Sequence, residues 1–217
     1  MRSSLAFACL VLLAGCTRDM IAESPVTPPP VTPPGPIDVV ADVPVSRAPV
    51  VGIALGFAHT CAVHADGQVS CWGENESGQL GNGTTSTQAT SPQVVRVAEV
   101  VSLVAGTAHA CALRANGTVM CWGANASGQL GNGNTSNRSV PTQVVDPSDA
   151  SGFLTRVVGV TAGGAHTCAL RADGTAVCWG QNTSGQLGNG TTTSSLVPSD
   201  VALTSAAVAL TTGDAHT

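Results

Sequence analysis

The sequence predicts an all-β protein of about three four-stranded β-propeller blades followed by the start of a fourth. Three observations carry this. One phrase recurs along the chain at intervals near fifty residues; each copy holds short runs of Val, Ala and Leu separated by Gly or polar turns; and no window after the first fifty residues shows an apolar stripe of helical period. Four short strands repeated at this interval form modules that stack on one another as blades.

The copies read Ala58-His59-Thr60-Cys61-Ala62-Val63, Ala108-His109-Ala110-Cys111-Ala112-Leu113 and Ala165-His166-Thr167-Cys168-Ala169-Leu170, with a fourth, Ala215-His216-Thr217, at the end of the chain. The histidines are 50, 57 and 50 residues apart, and the longer interval places a polar insert near Asp146 to Gly152. Taken in order, the strands of one repeat are Pro92 to Val97, Val100 to Ala105, Ala108 to Arg114 and Thr118 to Trp122. The repeats span 50–99, 100–156 and 157–206, and a partial copy spans 207–217.

Composition narrows function. The chain has 217 residues, 10% of them charged and 3% aromatic, with a net charge of -5 and no Lys. Nucleic-acid binding relies on clustered basic side chains, so this balance argues against it. With 43% hydrophobic residues the chain can bury a core, built mainly from Ala, Val and Leu.

The first fifty residues read as an address and a tether. Met1-Arg2 and an apolar run from Leu5 to Leu13 precede Ala14-Gly15-Cys16; the run is too short to cross a bilayer and fits a secretory signal over 1–15. Leu13-Ala14-Gly15-Cys16 resembles the bacterial lipobox, which implies cleavage before Cys16, its lipidation, and an address in the cell envelope. With Thr17 rather than Asp following, that resemblance implies the outer membrane. An ordinary cleaved signal is the alternative. Residues 16–49 form a linker: nine of the thirteen prolines lie between Ile21 and Pro49, a composition that extends as polyproline II.

Each copy continues with Cys71-Trp72-Gly73, Cys121-Trp122-Gly123 or Cys178-Trp179-Gly180, then with Asn75-Glu76-Ser77-Gly78-Gln79-Leu80-Gly81-Asn82-Gly83 and its counterparts from Asn125 and Asn182. Together with the Ala-His phrases, these closely resemble the regulator of chromosome condensation repeat over residues 50 to 217. The resemblance implies a blade of a seven-bladed ring, of which this chain holds an incomplete part. Truncation, assembly of several chains into one ring, and an open arc each account for the shortfall.

Six cysteines fall in pairs, Cys61 and Cys71, Cys111 and Cys121, Cys168 and Cys178. Ala65-Asp66-Gly67, Ala115-Asn116-Gly117 and Ala172-Asp173-Gly174 suit three-residue hairpin loops with a left-handed Gly, and that loop length puts each Cys directly opposite its partner. In an exported chain this predicts three disulfides within blades. A metal site is the competing reading, since His59 and Cys61 share a strand face, but each repeat offers too few ligands for a closed site. No metal and no cofactor are expected.

The recurring histidines, His59, His109, His166 and His216, behave as structural ties between strands, while His64, outside the pattern, reads as a solvated strand end. Trp72, Trp122 and Trp179 read as packing between blades. The Gly-Gln-Leu-Gly stretch lacks the Lys and helix of a phosphate loop, so its glycines serve a turn with positive φ. No catalytic constellation is visible, and the chain is not expected to be an enzyme.

Binding is expected where the copies differ: Glu74 and Glu76 against Ala124 and Ala126, Arg138, and the insert with Asp146, Asp149, Phe153 and Arg156. The leading expectation is an envelope-anchored binding module for a protein or glycan, held at the membrane by its N-terminal lipid, with neither nucleic acid nor nucleotide as partner. Some secreted bacterial members of the resembled family bind and inhibit beta-lactamases. The resemblance also implies an alternative, nucleotide exchange on a small GTPase, and an envelope hydrolase is the third reading.

Overall fold

The computed structural model describes residues 46–86 and 88–217, so the expected signal segment, Cys16 and most of the linker lie outside the described residues. The described chain holds twelve strands and no helix. Blade 1 comprises β1 (Val50–Leu55), β2 (His59–His64), β3 (Val69–Glu74) and β4 (Gln88–Val95). Blade 2 comprises β5 (Val100–Ala105), β6 (His109–Arg114), β7 (Val119–Gly123) and β8 (Arg138–Gln143). Blade 3 comprises β9 (Val157–Ala162), β10 (His166–Arg171), β11 (Ala176–Gly180) and β12 (Ser195–Asp200). Each blade is an antiparallel meander whose neighbours in sequence are neighbours in the sheet, and each sheet is open.

Two expectations change. The strand expected over Pro92 to Val97 is β4, which begins at Gln88, ends at Val95 and pairs with β3, so it closes the first blade instead of opening the second. The outer strands β4, β8 and β12 carry Pro92, Pro141 and Pro198 close to a break in register against the preceding strand. A proline supplies no ladder donor and is tolerated at an edge or bulge, where it also blunts an exposed edge against further pairing. The second change is His64. Instead of ending a strand in solvent, it is buried, with Nδ1 3.0 Å from Ala48 O and Nε2 2.9 Å from Ser70 Oγ. It clasps the chain entering blade 1, where Ala65 N–H also donates to Pro49 O.

The hairpins follow the expected loop. Gly67, Gly117 and Gly174 have φ of 76°, 76° and 82°, a region that costs glycine nothing. Cys61 pairs with Cys71, Cys111 with Cys121 and Cys168 with Cys178 in register. All three pairs are disulfides, with S–S distances of 2.07, 2.15 and 2.06 Å, and all six sulfurs are buried.

The core lies between blades, because a single sheet this thin has nothing else to cover its faces. Cys61, Val69, Leu80 and Val95 of blade 1 pack with Val100, Ala112 and Trp122 of blade 2. Leu113, Val119, Leu130 and Val144 pack in turn with Val157, Val177 and Trp179. The indole N–H of Trp122 donates to Gln79 O at 3.0 Å, and that of Trp179 to Gln129 O at 2.9 Å, so each tryptophan bridges to the blade before it. Among the described residues no blade precedes β1. Val50 is accordingly 50% exposed where its counterparts Val100 and Val157 are 6% and 4% exposed. The partial copy 207–217 lies along blade 3, with Ala207 N–H donating to Gly174 O, and forms no strand.

Candidate binding site at the loop face

Strand direction divides each blade into two ends. The β2–β3 hairpins and the chain leaving the outer strands lie at one end; the β1–β2 turns and the long Asn-to-Gly loops after β3 lie at the other, the loop face. The candidate residues separate accordingly. Glu74, Glu76 and Arg138 fall at the loop face, and Asp146, Asp149, Phe153 and Arg156 at the hairpin end.

The hairpin-end group is occupied with structure. Asp146, 4% exposed, receives the Arg171 guanidinium at 2.5 Å and caps Ser148 through its backbone N–H at 2.9 Å and its hydroxyl at 2.6 Å. The insert is a small loop closed by the Val145–Phe153 bridge, and it leads Leu154 into the core. Thr155 and Ser151 hydroxyls donate to Asp149 at 2.6 and 2.7 Å, which with the Ser151 N–H pulls its carboxyl down to about 2. Arg156 pairs with Asp173 at 3.3 Å and holds φ at 58°, its carbonyl accepting from Ala172 N–H. Phe153 is exposed.

At the loop face, a chain of backbone hydrogen bonds runs from blade to blade. Phe57 N–H donates to Thr107 O, Thr107 N–H to Gly164 O, and Gly164 N–H to Asp214 O, at 3.2, 3.0 and 2.9 Å. Every blade places the same backbone position at the inner rim, yet the side chains are Phe, Thr, Gly and Asp. They border a cleft of about 320 Å³ that is also lined by Gly56, Gly106, Gly163 and Gly213. A Cβ on Gly56 would come within 2.1 Å of the His59 ring and 2.8 Å of Gly106 O, so only glycine lets the blades and their histidines approach so closely. A neighbouring cleft of about 270 Å³ is lined by Thr107, Gln129, Gly164, Gln181 and Asp214.

The residue after each Cys-Trp-Gly joins this rim. Glu74 N–H donates to Ala58 O, Ala124 N–H to Ala108 O and Gln181 N–H to Ala165 O. Blade 1 therefore presents Phe57, Glu74 and Glu76 together, where blade 2 has Thr107, Ala124 and Ala126, and blade 3 has Gly164, Gln181 and Thr183. Phe57 is 86% exposed, and Glu76 is exposed on the adjoining loop. That loop reaches the next blade, with Gly83 N–H donating to Ser139 O at 2.8 Å, one residue from Arg138. An aromatic face flanked by carboxylates can hold a basic side chain through cation–π and charged hydrogen bonds.

Sequence reasoning missed Phe57 and Asp214. Their signal was present: the position two before each histidine is the one place in an otherwise repeated phrase where all four copies differ. Among the described residues, no group of three or more His, Cys, Asp or Glu side chains is arranged to hold a metal.

Below the rim lie the histidines. His109 Nε2 is 3.0 Å from Thr167 Oγ1 and His166 Nε2 is 3.1 Å from Thr217 Oγ1, each bond crossing to the following repeat. Burial pushes His59 down to about 4 and His109 to about 3, the latter helped by its neighbours His59 and His166.

Comparison with known proteins matches this architecture. The family described as "Regulator of chromosome condensation (RCC1) repeat" matches residues 66–113, 116–170 and 173–217, together more than half of the chain. A second description of the same repeat matches 50–79, 100–129 and 157–186. The human probable E3 ubiquitin-protein ligase HERC6 is 37% identical over 140 residues, 64% of this chain and 14% of that protein. Human HERC4, also described as a probable E3 ubiquitin-protein ligase, is 43% identical over 47 residues, 22% of this chain and 4% of its own length. Among solved structures, human WBSCR16 is similar with a TM-score of 0.66 and 28% identity, covering 76% of this chain and 42% of that one. Prp20p from Saccharomyces cerevisiae shares the fold with a TM-score of 0.62 and 24% identity, covering 71% of this chain and 39% of that one. The chain thus spans about two-fifths of each of these solved proteins. It belongs to the regulator of chromosome condensation repeat family.

Proposed function

We propose that this chain is a non-enzymatic binding module whose loop face, at the rim of blade 1, takes a protein partner through a basic side chain. The observation that carries the reading is that, at rim positions where the copies differ, blade 1 alone carries an aromatic residue and two carboxylates, Phe57, Glu74 and Glu76. Backbone hydrogen bonds fix the main chain at Phe57 and Glu74, so a partner need not order that backbone on binding. Protein binding also fits the family: the yeast protein Prp20p is described by its binding to Gsp1p and histones.

The experiment is affinity capture with the chain and with two variants. F57A/E74Q/E76Q is expected to lose the captured partner by tenfold or more, about 1.4 kcal/mol, whereas R156A at the hairpin end retains it. Equal capture by the triple variant would overturn the placement of the site. Stimulated GDP release from a captured GTPase would favour the exchange-factor reading instead.

The proposed setting is the bacterial outer membrane, at its periplasmic face or at the cell surface, with the chain anchored through lipid on Cys16 and tethered by residues 16–49. Cys16→Ala is expected to abolish incorporation of labelled fatty acid and to move the protein from the membrane to the soluble fraction. An unchanged distribution would remove the anchor from this account.

A further inference from the structure

The seams between repeats use one bonding pattern, altered at a single position. At the seam of blades 2 and 3, the Thr167 hydroxyl lies 3.0 Å from His109 Nε2 and donates to Gln129 O at 2.9 Å. At the next seam the Thr217 hydroxyl lies 3.1 Å from His166 Nε2 and donates to Gln186 O at 2.7 Å. A hydroxyl has one proton; spent on the carbonyl, it leaves the oxygen to accept from Nε2–H. The threonine thus joins a histidine and a carbonyl of the preceding blade.

At the seam of blades 1 and 2 the corresponding residue is Ala110, fully buried. His59 stands where His109 and His166 stand in their blades and is 2% exposed, yet neither ring nitrogen has a hydrogen-bond partner within the protein. Gln79 O keeps the Trp122 indole at 3.0 Å but receives no hydroxyl. Buried polar atoms are rarely left unpaired, and by correspondence with the other two seams the His59 imidazole and Gln79 O are the two groups that a threonine hydroxyl would join, a pair matched by a small molecule that both accepts and donates.

We propose that the seam of blades 1 and 2 is a hydration site, holding one water between His59 Nε2 and Gln79 O in the place of the threonine hydroxyl. Water accepts from the imidazole N–H and donates to the carbonyl, as the Thr167 hydroxyl does one blade further on. Alanine is smaller than threonine by about the 30 Å³ that a water takes in the liquid. The Cys61 sulfur supplies the third, weaker neighbour, by analogy with Cys111 Sγ, 4.0 Å from the Thr167 hydroxyl. The two polar partners meet the lower bound for an ordered internal water.

Three substitutions at one position test this on the full chain. Ala110→Ser and Ala110→Thr supply the hydroxyl and release the water; each is expected to raise the thermal midpoint by about 2–4 °C. Ala110→Val has the shape of threonine without its oxygen, so it expels the water, leaves His59 unpaired, and is expected to lower the midpoint by a similar amount. In a dry seam the valine would fill space and raise the midpoint, which would overturn the proposal. The direct measurement is NMR of 15N-labelled histidine in the unsubstituted chain. The Nε2–H tautomer of His59 should show a cross-peak to a long-lived water that A110T abolishes, and failure to find that cross-peak in the unsubstituted chain refutes the site.

Discussion

Removing the three disulfides is expected to cost this protein about 8 kcal/mol, enough to leave it largely unfolded at room temperature. Each bridge closes a loop of about eleven residues, and the chain-entropy model gives about 2.8 kcal/mol for such a loop. Domains of ordinary stability have only 5–15 kcal/mol in total. Single-pair variants such as C111A/C121A should each lower the urea midpoint, and by comparable amounts, because the three hairpins share one geometry. All six sulfurs are fully buried, so reductant added to the folded protein should act only as fast as the blades open. Denaturation curves with and without reductant, together with thiol labelling of the unfolded chain, measure both effects. Coincident curves, with the six thiols labelled only in the reduced sample, would contradict a stabilising role.

Acid is the second strong perturbation. His59 and His109 have folded-state values of about 4 and 3, against 6.5 when exposed in the unfolded chain. The unfolded chain therefore binds more protons below pH 6.5, and stability falls as the pH drops from there toward each folded value. Each histidine contributes a slope that approaches one bound proton per molecule, so the pair costs on the order of 2 kcal/mol between pH 5.5 and 4.5. His166 is lowered as well, by burial, and acts in the same sense. Asp66, Asp149 and Asp173 are lowered by hydrogen bonds from Ser46, Thr155 and Thr175 respectively, and their stabilisation is present above pH 3.8 and lost only below it. The two windows are thus separable. Thermal midpoints at pH 8, 6.5, 5.5 and 4.5 should be level over the first interval and fall over the rest; a level profile down to 4.5 would mean that the histidines are not buried neutral.

Much of this fold is legible in the sequence because it rests on local rules written three times. Asp66-Gly67, Asn116-Gly117 and Asp173-Gly174 set a three-residue turn, and the turn sets the cysteine register. Tryptophan as a bridge between blades was equally accessible, since a large apolar residue repeated in each thin sheet has only the neighbouring sheet to pack on. The burial of His64 and Asp146 escaped the sequence for one shared reason. Each is polar and breaks the repeat, which suggests a solvated strand end for His64 and a binding residue for Asp146, but their partners Ala48, Ser70 and Arg171 lie 6 to 25 residues away in sequence. Nothing local announces such a pairing.

The candidate site shows the same division. Copy-to-copy difference singled out Glu74 and Glu76, yet it could not rank them above Asp149 or Arg156, because the pattern carries no information about which end of a blade a residue occupies. Their alignment with Phe57 depends on the Glu74 N–H reaching Ala58 O across the sheet.

By itself, the sequence determined the all-β class, the repeat length, the four-strand blade and the disulfide pairs, since strand period, turn chemistry and loop length act over a few residues. Only the tertiary structure decided which polar side chains are consumed by neighbours, which remain at the rim, and that His59 alone among the described seam histidines meets an alanine. Those outcomes depend on contacts between blades some fifty residues apart, where the loss of one hydroxyl changes what a buried nitrogen can bond.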